Sequence, residues 1–106
     1  MSSYAFDRAA WQRKDIFEQM GNIGMEVGRA LRAKRSGDEQ RLKGALYRGL
    51  DLLDATAEAW AKRKSPRVRE ILRARELFVQ TATTDNEVPG LEDYFMHFAF
   101  TARLHR

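Results

Sequence analysis

Any chemistry in this sequence turns on its arginines. Fourteen arginines stand against five lysines, and they crowd the middle of the chain. A guanidinium is planar, permanently charged, and grips phosphate or carboxylate through two parallel hydrogen bonds. Residues 29–75 hold fourteen basic side chains against six acidic ones; residues 1–28 hold three against four, and residues 76–106 two against five. Two clusters emerge. Arg29, Arg32, Lys34 and Arg35 form the first, with Arg41 and Lys43 close behind; Lys62, Arg63 and Arg67 form the second, with Lys64, Arg69 and Arg73 nearby. These are candidate contacts to an anion, in particular a nucleic-acid backbone. The plain alternative is a set of solvated helix faces with cations at helix ends.

Other chemistry has little to draw on. The only histidines, His97 and His105, sit eight residues apart near the end of the chain, and there is no cysteine for a thiolate, a disulfide or a zinc site. Glu-x-x-His pairs, the ligands of di-metal helical bundles, are absent. No catalytic residue, cofactor, metal or small-molecule substrate is expected. No apolar run approaches the ~18 residues that span a bilayer. The first residues lack the basic and apolar regions of a secretory signal. The expectation is a soluble, cytoplasmic, non-enzymatic protein.

Three glycines raise a different question. Gly21, Gly24 and Gly28 lie three and four residues apart inside a helical pattern, on one stripe. Each costs about 1 kcal/mol relative to alanine in a helix interior. Close approach of a second helix, a local kink, or an anion-binding role are the readings open for the stripe. A phosphate loop needs its glycines after a strand, so packing is favoured.

The elements that position these residues are all helical. Ile16, Met20, Ile23, Val27, Ala30 and Lys34 follow alternating spacings of four and three, which predicts one helix over about 8–35, preceded by a tail at 1–7. Tyr4, Phe6 and Trp11 are expected to tuck against the bundle, with Asp7 as an N-cap. Gly37 ends the first helix, and Ser36 or Asp38 can cap the second, over about 38–62, with Leu42, Leu46, Gly49, Leu53, Thr56 and Trp60 on its seam. Ser65-Pro66 starts a third, over about 66–82, carrying Val68, Ile71, Leu72, Ala74, Phe78, Val79 and Ala82 inward. A polar loop at 83–90 leads to a fourth over about 91–104. The fold class is all-α: one domain over 1–106, an antiparallel up-and-down four-helix bundle.

Within that bundle Arg75 is unusual, since its helical neighbours Ile71, Leu72, Phe78 and Val79 are all apolar. It is predicted to form a partly buried ion pair with Asp54, or with Asp51 as substitute acceptor. The fourth helix is apolar nearly all round. Phe98 and Phe100 point about 200° apart, so one core cannot take both. Tyr94, Phe95, Phe98 and Phe100 are therefore a candidate interface, covered by the N-terminal aromatic segment or by a second subunit.

The stretch GNIGMEVGRALRAKRSGDEQRLKGALYRGLDLLDATAEAW, with RVREILRARELF and the aromatic block DYFMHFAFTARL, resembles a group of small, uncharacterised bacterial helical proteins. The resemblance implies a shared fold and no particular activity. In length, helix number and charge the chain is also similar, more distantly, to bacterial four-helix-bundle proteins of the retroelement accessory variability type, which are basic oligomers that bind nucleic acid. The first functional expectation is an interaction or scaffold protein acting through self-association or a protein partner. The second is a basic nucleic-acid-binding accessory protein.

Overall fold

Asp7, Asp15 and Asp38 each begin a helix by accepting a backbone N–H three residues on, at 2.8–3.1 Å. The computed structural model describes residues 6–105; Tyr4, expected from the sequence to tuck against the bundle, lies outside them. The helices are α1 (Arg8–Arg13), α2 (Ile16–Ser36), α3 (Glu39–Lys62), α4 (Arg67–Thr83) and α5 (Leu91–Leu104). No strand occurs among the described residues. None of these helices is long and apolar enough to cross a membrane.

One continuous helix over 8–35 was the expectation, and this is corrected. The chain turns at Lys14, whose ψ of 154° is extended, and restarts at Asp15. Asp15 and Glu18 have cap-and-third-residue spacing, the local reason for the break. The break lets α1 lie against α3 rather than prolong α2. Trp11 then reaches inward, its indole N–H donating to the Thr56 hydroxyl at 2.9 Å. Beside it the fully buried Gln19 donates to the Trp11 carbonyl at 3.0 Å and accepts from the Trp60 indole N–H at 2.8 Å. No buried side-chain polar atom of that junction is left without a partner.

The remaining boundaries shift by a residue. Gly37 takes the left-handed conformation, φ 75°, that closes α2, and Asp38, not Ser36, caps α3. The Ser65 hydroxyl accepts from the Arg67 N–H at 3.1 Å, and Pro66 stands just before α4 rather than in its first turn. Met20, Ile23 and Val27 of α2 meet Leu53 of α3, Ile71 and Phe78 of α4 and Phe95 of α5 in one core. Leu72, read from the sequence as inward, is exposed, because the apolar stripe of α4 runs through Ile71, Ala74 and Phe78.

The glycine stripe faces α5. A Cβ on Gly21 would lie 2.8 Å from the Ala99 Cα, one on Gly24 2.6 Å from the Phe95 Cβ, and one on Gly28 2.7 Å from the Glu92 carboxylate. At Gly21 and Gly24 the neighbouring atoms belong to or are fixed on the α5 backbone, so α2 and α5 approach closely there, whereas at Gly28 the neighbour is the flexible end of Glu92. Gly49 makes room for a side chain of α4: a Cβ there would lie 2.6 Å from the Phe78 ring.

Candidate anion-binding groove

Helical spacing decides which arginines meet. On α2, Arg29, Arg32 and Ser36 are three and four residues apart; on α3, Arg41, Gly44 and Arg48 repeat the same spacing. The two stripes face each other across the Gly37-Asp38 turn and line an open groove of about 860 Å³. Ala33, Asp38 and Gln40 complete its walls. Four guanidinium groups therefore share the groove with one lining carboxylate, Asp38.

Two of the four are held from below. Glu26 is almost fully buried, its side chain 8% exposed, and its two oxygens are divided between Arg29 at 3.0 Å and Arg48 at 3.2 Å. A carboxylate out of water needs such compensation, and here the compensation fixes the two cations. Glycine helps as well. The Arg48 guanidinium folds back over Gly44, and that of Arg32 over Gly28, each 3.2 Å from where a Cβ would stand. Arg32 and Arg41 reach into solvent, 66% and 85% exposed, with only the long contacts Arg32–Glu92 at 3.8 Å and Arg41–Asp38 at 3.4 Å. Two oriented cations and two extended ones can grip a run of phosphates.

The other candidate contacts are placed elsewhere. Lys34 is corrected as an anion contact: its ammonium donates to the carbonyls of Thr81 and Thr84, each at 2.6 Å, and to Glu87 at 2.9 Å. All three donors are spent on closing the end of α4 and the loop after it. This hydrogen bond, aided by the lysine's charge, holds the Glu87 carboxyl below its ordinary range. Its share of the clasp is therefore present at neutral pH and is lost as pH falls through that lowered value. Lys34→Met is expected to lower stability by about 1–2 kcal/mol and speed proteolysis within 84–90, with groove binding unchanged. Arg35 adds to the positive field on Glu87.

The second basic cluster lies at the far end of the 24-residue α3, about 20 Å or more beyond Arg48 at ~1.5 Å per residue. Arg63 stacks on the Trp60 ring at 4.6 Å, Arg67 stands 3.9 Å from Glu70, and Lys62 is exposed near Glu58. Arg75 donates to Asp54 at 2.7 Å, but the side chains are 37% and 52% exposed, so the pair is a surface contact rather than a buried one.

The aromatic residues of α5 separate into two sets. Phe95 is fully buried against Gly24 and so is corrected as an interface residue, while Tyr94 and Phe98 are half-buried within the bundle. Phe98 packs on Phe17 at 6.2 Å between ring centres. Tyr94 donates to Glu70 at 2.7 Å, and burial, reinforced by that hydrogen bond, raises its phenol well above the ordinary value. Phe100 alone of the four is exposed. His105 rests on the Phe17 ring and His97 is exposed. Among the described residues no group of three or more histidines, cysteines or acids is placed to hold a metal.

Arg48 and Glu26 escaped the sequence reading. Grouping basic residues by adjacency joined Lys34 and Arg35 to the first cluster; grouping them by the three-and-four spacing of a helix face would have set Arg48 beside Arg41. No family model, no curated protein and no solved structure matches the chain.

Proposed function

We propose that this protein is a non-enzymatic interaction protein that docks on the phosphate backbone of a nucleic acid through the groove between α2 and α3. The observation that carries this reading is the set of four arginines around a groove of about 860 Å³, two of them oriented by Glu26. An antiparallel up-and-down arrangement of the four long helices belongs to the same proposal. It is supported by the two-residue connection between α2 and α3 and by the order in which Gly21, Gly24 and Gly28 meet Ala99, Phe95 and Glu92. The same proposal places the protein in the cytoplasm, in a role like that of the basic retroelement accessory proteins that the chain was read as distantly resembling. Backbone binding fits an open groove lined by point and fork donors better than base readout does, since no aromatic side chain lines it.

Fluorescence anisotropy with labelled single-stranded and duplex oligonucleotides tests the reading. Binding should weaken steeply with salt, with a log–log slope of about −3 for four phosphate contacts. Arg32→Ala with Arg41→Ala should reduce that slope by about 2 units and weaken all sequences alike, whereas Arg63→Ala with Arg67→Ala should leave it unchanged. Failure of the wild-type protein to stay on heparin at low salt would overturn the proposal.

A further inference from the structure

The outer face of α5 carries side chains that neither the core nor the groove uses. Asp93, Met96, Phe100 and Arg103 line one shallow surface depression, with His97 at its edge. Their spacings are three, four and three, so they form one continuous stripe along the helix. Phe100 is 57% exposed and Met96 41%, and Leu104 extends the apolar surface to the end of the helix. Large apolar side chains placed together on an exposed stripe mark an interface.

The order along the stripe is acid, apolar, apolar, base, and its spacings read the same from either end. Reversing the helix about residue 98 places Asp93 opposite Arg103, Met96 opposite Phe100, Phe100 opposite Met96 and Arg103 opposite Asp93. A second α5 laid antiparallel on the first therefore meets an apolar pair at its centre and an ion pair at each end. Parallel pairing would set Asp93 against Asp93 and Arg103 against Arg103. The helix dipoles favour the same choice, since each acidic N-terminal turn then faces a basic C-terminal one.

We infer that a second copy of this chain covers the outer face of α5, in an antiparallel, two-fold symmetric pairing centred near residue 98. Each residue of the stripe serves twice, once on each side of the axis. A 14-residue helix is only about 21 Å long, so the contact is small for a protein interface. The dimer accordingly forms in the micromolar range rather than being permanent. This pairing is independent of the groove reading.

Sedimentation velocity over a concentration series tests it. The wild-type protein should be dimeric at tens of micromolar and dissociate on dilution, and Phe100→Glu should be monomeric with an unchanged circular dichroism spectrum. Asp93→Arg and Arg103→Asp should each weaken the dimer about tenfold, and the two together should restore it. A spin label on His97→Cys, in a chain with no other cysteine, should read a shorter distance between copies than one on Leu104→Cys. A wild-type monomer at tens of micromolar, a dimer indifferent to Phe100→Glu, a double variant that stays weak, or equal spin-label distances would each overturn the pairing.

Discussion

Gly24→Leu is expected to lower stability by about 3 kcal/mol or more, and Gly24→Ala by about 1–2 kcal/mol, although both replace glycine by a better helix former. Two effects oppose each other. Filling a helix interior with alanine favours the helix by about 1 kcal/mol. Against this, the new Cβ would lie 2.6 Å from the Phe95 Cβ, an atom fixed to the backbone of a fully buried residue. It cannot swing aside as the tip of a long side chain can, so α5 must move away from α2. Overpacking of this kind costs about 1–3 kcal/mol for small additions, and a leucine adds much more volume. Gly44 supplies the opposite case. There the new Cβ meets only the flexible Arg48 guanidinium at 3.2 Å, so Gly44→Ala is expected to gain about 0.5–1 kcal/mol. Urea unfolding followed by circular dichroism compares the three variants. Equal midpoints for Gly24→Ala and Gly44→Ala would show that the close approach carries no energy.

Gln19→Leu should lower stability by about 2 kcal/mol, even though it places an apolar side chain in a fully buried position. Gln19 accepts the only hydrogen bond that the Trp60 indole N–H makes, and it donates to the Trp11 carbonyl. Leucine satisfies neither. The carbonyl keeps the Lys14 N–H at 3.1 Å, but the indole N–H loses its partner against the core. A buried donor left unpaired costs about 1–3 kcal/mol, which outweighs the transfer gain of a leucine that only replaces an already packed side chain. Gln19→Glu keeps the acceptor at Trp60 but places an ionisable carboxyl in a fully buried site beside the Trp11 carbonyl, so it should be destabilising as well. Both variants are read by urea unfolding, and tryptophan emission of the folded state should shift only where the Trp60 bond is lost. An unchanged midpoint for Gln19→Leu would contradict this account.

The helical pattern was legible where one side of a helix is buried and the other is wet. Ile16, Met20, Ile23, Val27 and Ala30 were read as one seam, and all five are buried in the core. The break at Lys14 was less visible, because Gln12-Arg13-Lys14 holds neither a proline nor a glycine to signal a stop. Only the Asp15–Glu18 spacing marks it locally. Leu72 misled for a related reason: hydropathy assigns it inward, while burial is decided by its neighbours on the stripe. The groove was half legible. Arg29 and Arg32 were named, yet Arg48 belongs to the next helix and depends on Glu26, whose burial follows only from packing. Lys34 shows the limit of counting charge, since three hydrogen bonds hold it away from any ligand.

The close approach of α2 and α5 has a mechanical consequence. Side chains between helices act as springs, taking up small shifts by changing rotamer. At Gly21 and Gly24 that cushion is missing, so α5 sits as a key in a keyway. A small slide there meets hard contact and is not taken up by rotamers. Glu92, at the start of α5, reaches Arg32 across Gly28, so the seat of α5 on α2 also sets where that carboxylate stands beside Arg32.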